Sequence, residues 1–353
     1  MRFHLSDEQQ TLQESLRRTI ADVCPPGRRR SMIDANTDFD PVVWSSLMEL
    51  GLAGLALPER FGGSGGGLLD LALAMEVLGE TALPGPFLGH VLAALALDKA
   101  NEEVREQWLE RLVRGDVVAT VAIAGDWDPP DWEGCIEHNT LTVDAPYVLG
   151  ADRASLFIVG IKGGGLALVE NAGQGIAIEP VPSSDLTRTL SKVSFREAPC
   201  TILPAQSATV MLNAALILLA ADALGGASCC LRMSVEYAQT RRQFGVVIGQ
   251  FQALKHQLAN MALEIEPARA LLWYAAHAAD QGADCASRIA AHAKAHLADR
   301  FVSVARAAVQ AHGGIGYTWE FDLHLWLRRS LFDRAYFGSP SLHRERAALM
   351  AGW

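Results

Sequence analysis

Three constellations in the last third of the chain hold residue types that could do chemistry. The first, Glu236-Tyr-Ala-Gln-Thr-Arg-Arg-Gln-Phe-Gly245, sets two arginines at the end of a long helical run. An arginine's fixed fork of donors suits a multivalent anion better than a lysine would. The plainer reading is a basic helix end that complements the dipole, with Gly245 just past the last turn. The second, Gln310-Ala-His-Gly-Gly-Ile-Gly-Tyr-Thr318, offers an amide and a glycine pair that lets main-chain atoms approach a ligand. The third, Tyr336-Phe-Gly-Ser-Pro-Ser-Leu-His-Arg344, is by itself a turn. No metal set is read: His292 and His296 have ligand spacing without a third partner, so they read as an exposed helix face. The loop 62–67 is glycine-rich but lacks the Lys-Ser/Thr of a phosphate loop.

The elements that must position these groups fall into three stretches. Ser6 and Gln9 form a capping-box signature, and Leu12, Leu16, Ile20 and Val23 share one helical face before Pro25 and Pro26 end the run. Helices also fit residues 43–50, 69–78, 88–97 and 102–113. After Gly115 short β-prone runs take over, at 117–123, 140–143, 156–161, 166–169, 176–178 and 193–195, separated by turn residues. From Ser207 on, 207–240, 250–280 and 286–311 read as long helices of a bundle. The expected fold is mainly α with a β insert: an N-terminal helical domain (1–115), a small middle barrel or sandwich (116–205) and a C-terminal long-helix bundle (206–353).

The bulk properties agree with a globular protein. The chain has 353 residues, half of them hydrophobic, and a net charge of −10 with the signs interspersed, which argues against nucleic-acid binding. Six scattered cysteines without a C-x-x-C read as reduced thiols. The longest unbroken apolar stretch, 214–221, is too short to span a bilayer, and the first residues resemble neither a signal nor a transit peptide. The expectation is a cytoplasmic protein without membrane insertion.

Taken in this order and spacing, the motifs resemble the acyl-CoA dehydrogenase family. The resemblance starts at Leu50-Gly-Leu-Ala-Gly-Leu-Ala-Leu-Pro-Glu-Arg-Phe-Gly-Gly-Ser-Gly65, continues at Glu76-Val-Leu-Gly79, and is strong at 237–261 and 310–317; the β stretch matches poorly. It implies a subunit that takes part in the FAD-dependent α,β-desaturation of an acyl-CoA thioester, passing electrons to an electron-transfer flavoprotein. In that family the flavin accepts the β-hydride, and the protein supplies a base for the α-proton. FAD straddles a subunit interface there, and the neighbour's Arg-x-x-Phe-Gly and Gln-x-x-Gly-Gly motifs hold its ADP end. The resemblance therefore carries cofactor binding to Arg241, Phe244, Gln252, Gln310, Gly313, Gly314 and Ser339, and substrate contact to Phe337 and Gly338.

The match fails where the base should be. The family's Tyr-Glu-Gly-Thr reads Tyr336-Phe337-Gly338-Ser339 here, and the other known base position, one residue after the motif arginine, is Arg242. Neither side chain can take a proton near neutral pH. An acyl-CoA-contacting arginine is replaced by an apolar residue near Leu216, and Ala122 to Pro130 departs from the usual flavin-side loop. The half-site offered to a neighbour survives and the chain's own does not. The expectation is the non-catalytic subunit of an α₂β₂ heterotetramer with a paralogous acyl-CoA dehydrogenase, resembling actinobacterial steroid-side-chain enzymes. Two alternatives stand beside it. One is an active homo-oligomer with a base relocated to Asp333, Glu320 or Glu345, each of which reads as a surface or salt-bridged residue; the other is a non-redox thioester-binding or assembly protein.

Overall fold

A computed structural model describes residues 4–353. Six helices come first: α1 (Asp7–Val23), α2 (Pro26–Asp34), α3 (Pro41–Glu49), α4 (Leu68–Glu80), α5 (Phe87–Leu97) and α6 (Glu102–Val113). Seven strands follow: β1 (Ala119–Ala122), β2 (Cys135–Glu137), β3 (Thr140–Leu149), β4 (Leu156–Ile161), β5 (Gly165–Glu170), β6 (Ile176–Val181) and β7 (Leu190–Ile202). Then come α7 (Ala205–Thr240), the two-residue strands β8 (Arg242–Gln243) and β9 (Val246–Val247), α8 (Gln252–Asp280), α9 (Ala286–His312), α10 (Leu323–Ala335) and α11 (Pro340–Met350). The expected order of helices, sheet and long helices is the observed one. Helix α1 ends at Val23, ahead of Pro25 and Pro26 as expected, and Pro26 then opens α2, where a missing N–H costs nothing. The tail read as a turn is a turn between two helices, α10 and α11.

The chain divides into two compact units, one of residues 1–13, 72–83 and 216–353, the other of 14–71 and 84–215. In the second, seven strands run β1-β4-β5-β7-β3-β2, with β6 also on β7. Strand β7 is the hub: residues 190–199 pair with β3, 190–195 with β6, and 200–202 with β5. Register shifts in β3, between Leu141 and Val143 and between Ala145 and Val148, bend the sheet around Phe157, Val159, Val193 and Phe195. A buried histidine joins the helices to β1. The Nε2 of His90 meets the Leu112 carbonyl at 3.0 Å while its Nδ1 accepts from Ala119 N–H, which fixes the Nε2–H tautomer. Burial holds this imidazole near a pKa of about 4.

In the first unit α8, α10 and α11 pack against α9. A window of α7 is apolar enough to cross a membrane by composition, yet 89% of it is buried inside the protein. A helix surrounded on all sides reads as apolar all round, as α7 does. Glycines set the approach of α4: a Cβ on Gly79 would lie 2.2 Å from the Asp222 carbonyl oxygen, and one on Gly225 1.9 Å from that of Glu76. Beside this crossing Arg329 clasps Asp222 with two bonds, Nε–Oδ2 at 2.8 Å and Nη2–Oδ1 at 2.6 Å, and donates to the Leu83 carbonyl. Both side chains are buried, so the pair fixes where α10 meets α7.

Candidate functional site

The first motif lies where α7 runs out. The Arg241 N–H donates to the Tyr237 carbonyl at 2.8 Å, and the Arg241 carbonyl accepts from Ile248 N–H at 2.9 Å. The main chain is thus held on both sides while the guanidinium stands exposed, with no ion pair or side-chain hydrogen bond in this chain among the described residues. Strands β8 and β9 form a two-residue hairpin, pairing Arg242 with Val247 and Gln243 with Val246. Phe244 (φ +52°) and Gly245 (φ +82°) are its turn residues, both left-handed as such a hairpin requires. Gly245 therefore turns a hairpin and does not cap α7, because the chain needs two positive-φ residues four positions beyond the helix. The Phe244 ring is 90% exposed and touches only the edge of Phe251, at 6.0 Å between centroids. Gln252 is the exposed first residue of α8.

The second motif closes α9. Gln310 is exposed in its last turn, and Gly313 leaves the helix at φ +65°, ψ −141°, a conformation open only to glycine. Gly313 and Gly314 are exposed, and a Cβ on either would meet nothing within 4 Å. At Gly314 the backbone is also ordinary, so nothing within this chain requires a glycine. A surface that something outside the chain approaches closely gives it a reason. The donors fit a phosphate-bearing group: a free guanidinium, an exposed amide and a bare glycine turn within one compact unit.

The third motif is enclosed. Tyr336, Phe337 and Gly338 are buried, with Phe337 only 1% exposed. Tyr336 N–H and Gly338 N–H return to the Phe332 and Ala335 carbonyls, and Phe337 and Gly338 both take positive φ, +56° and +101°. His343, fully buried, donates from Nε2 to the Phe337 carbonyl at 2.7 Å. Burial, with the Lys294 cation nearby, pushes that imidazole down to a pKa of about 3, so it stays neutral. Ser339 is exposed and its Oγ accepts from Leu342 N–H as the cap of α11.

Glu320 and Glu345 are exposed, as expected of surface residues, and Arg242 is an exposed cation. Asp333, read as a surface or salt-bridged residue, is 0% exposed in the last turn of α10, where Lys294 donates to its main-chain carbonyl. The helical stripe that buries Phe332 and Arg329 buries Asp333 with them. His292 and His296 lie on an exposed face of α9. Residue types alone gave no hint of His343 or Lys294. Tyr237, one turn before Arg241, could have been found by its spacing.

A helical unit, a bent sheet and a bundle of long helices carrying these two exposed motifs define a flavin-dependent dehydrogenase of the FAD-binding class. The acyl-CoA dehydrogenase N-terminal domain model matches residues 6–116 and the C-terminal domain model residues 205–350. Acyl-CoA dehydrogenase IpdE2 of Mycobacterium tuberculosis is 32% identical over 95% of this chain and 94% of its own length. Among solved structures, the Tcur3481-Tcur3483 steroid ACAD G363A variant superposes with a TM-score of 0.91, at 28% identity and 98% coverage of both chains. PigA with FAD and proline superposes at 0.88, with 25% identity, over 100% of this chain and 99% of its own. The chain belongs to the acyl-CoA dehydrogenase family.

Proposed function

We propose that this chain is the base-less subunit of a heteromeric acyl-CoA dehydrogenase, contributing the ADP-side contacts to a FAD whose flavin ring lies in a paralogous partner. The observation that carries the reading is a contrast within one compact unit. Arg241, Gln310, Gly313 and Gly314 are exposed and unencumbered, whereas the position of the usual base is an enclosed phenylalanine, Phe337. When bound, FAD supplies the hydride acceptor for α,β-desaturation of an acyl-CoA thioester. This chain's part is to bind and orient: Arg241 forks onto pyrophosphate oxygens, Gln310 and Gln252 offer amides, and the Gly313–Gly314 turn admits the cofactor's approach. Phe244 covers it, and Ser339 keeps a hydroxyl donor beside the vestigial site. The α-proton goes to a carboxylate of the partner, since neither Phe337 nor Arg242 can accept it.

The steroid ACAD structure, named for two gene products, supports a bulky, steroid-like CoA thioester as substrate and a two-protein assembly. The α₂β₂ stoichiometry, an electron-transfer flavoprotein as acceptor and a cytoplasmic location belong to the same proposal. The three-domain division at 115/116 and 205/206 belongs to the same reading. An active homo-oligomer would need its base at Glu320 or Glu345, which are exposed, or at Asp333, which is closed to solvent.

The test is flavin stoichiometry by absorbance, for the chain purified alone and co-expressed with its nearest acyl-CoA dehydrogenase paralogue. The expected result is flavin-free protein alone and one FAD per two chains in the complex. A full flavin complement in the lone chain, bleached by an acyl-CoA, would sink the proposal.

A further inference from the structure

We infer that His312 is the positioning residue that couples the two ADP-side motifs, holding Arg241 and the Gly313–Gly314 turn in register through its ring stack on Tyr237. The inference rests on the function proposed above and goes beyond it to a residue that touches no cofactor. His312 is the last residue of α9, so the glycine turn begins at the next position. Tyr237 lies in the last turn of α7, four residues before Arg241, and its carbonyl takes the Arg241 N–H at 2.8 Å. The Tyr237 and His312 rings stack with centroids 4.5 Å apart and an interplanar angle of 27°. Phe321, just beyond the turn, completes the cluster at 4.9 Å from His312 and 6.3 Å from Tyr237.

Several features fix this stack. His312 Nδ1 lies 2.8 Å from the Ala308 carbonyl, which sets the ring's rotation. The side chain is 4% exposed, and burial holds its pKa below the ordinary value, favouring an uncharged ring against Tyr237. Among the described residues no hydrogen bond joins 236–241 to 310–317; the stack on Tyr237 links them directly, beside the Met233 main chain of α7, which also faces the His312 ring. A bidentate grip on one pyrophosphate needs both motifs at a fixed spacing, and displacement of either weakens it.

The test measures FAD dissociation from the flavin-loaded complex by fluorescence of released flavin, with assembly mass measured in parallel. His312→Ala should raise the FAD dissociation constant about three- to tenfold at unchanged mass. His312→Phe, which keeps a ring on Tyr237 while giving up the bond to Ala308, should restore most of the affinity. If His312→Ala does not assemble, Tyr237→Leu against Tyr237→Phe reads the same contact from the other side, with loss expected only in the leucine variant. Unchanged affinity in the ring-deleting variants, or equal loss in the ring-keeping ones, overturns the inference. Arg241→Gln in the same assay separates the two levels. No loss there sinks the proposed function itself, whereas loss there with none in His312→Ala sinks only the positioning role.

Discussion

Replacing Arg241 by glutamine should remove FAD affinity from the complex while leaving this subunit's fold untouched. The guanidinium is exposed and makes no side-chain bond within its own chain, and the backbone beneath it is held by Tyr237 and Ile248. Stability should therefore move by less than about 0.5 kcal/mol, as for an unencumbered surface residue. A charge-assisted bond to a phosphate contributes about 1.5–3 kcal/mol, so the FAD dissociation constant should rise about ten- to hundredfold. The control is Arg242→Gln. Arg242 is the adjacent exposed cation, placed in β8 and assigned no cofactor contact, so this change should cost less than about threefold. Both variants are titrated with FAD as apo-complex, and thermal unfolding of each subunit alone reports the fold. Equal losses in the two variants would mean that a diffuse positive field holds the cofactor. Unfolding of Arg241→Gln at a clearly lower temperature would mean that the side chain belongs to the fold.

Other perturbations test the frame. Asp222→Ala leaves the buried Arg329 without its carboxylate and should cost about 3–5 kcal/mol in urea unfolding; a loss below about 1 kcal/mol would show that the pair does not anchor α10. Gly314→Ala should leave stability within about 0.5 kcal/mol, since its Cβ meets nothing, yet weaken FAD binding severalfold by filling the space beside the turn; unaltered binding would remove the ligand argument for this glycine. Acid should destabilise the fold between about pH 6.5 and pH 3. His343 and His90 titrate near 3 and 4 when folded but near 6.5 when unfolded, so the unfolded chain binds more protons in that window and stability falls with pH. Asp38, raised by burial, opposes this weakly, and His343→Gln should flatten the fall seen in pH-dependent urea midpoints.

Much of the frame was legible because its signals are local. The capping pair of Ser6 and Gln9 forms as read, each accepting the other's main-chain N–H, and the stretch 250–280, read as a long helix, is α8. The lengths of β3 and β7 were not legible, since their pairing partners lie far along the chain and their exposed positions dilute the apolar pattern. Helix α10 escaped notice because Arg328, Arg329 and Asp333 interrupt its apolar stripe, two of them buried through partners elsewhere in the chain. At the site, the motif residues were legible one by one. The distinction between an exposed Arg241 and an enclosed Phe337 was not, because exposure depends on the packing of α10 and α11.

That enclosure bears on whether the lost base could be put back. Phe337→Glu restores the residue type, but the position is 1% exposed, its carbonyl is already bonded by His343, and the buried Lys294 is committed to the Asp333 carbonyl. A carboxyl brought in there loses hydration without gaining an open partner, so its pKa rises and it stays protonated near neutrality. A protonated acid takes no α-proton, and a base must also come within hydrogen-bond reach of that proton to give its usual 10²–10⁴-fold, roughly. The variant alone should therefore bind no flavin and bleach none with acyl-CoA, while its complex with the paralogue should turn over within about twofold of the unaltered one, as the proposed placement of the reacting site in the partner requires. Flavin bleaching by the lone variant would show that only the carboxylate had been missing, and the subunit would then be a complete dehydrogenase silenced at one residue.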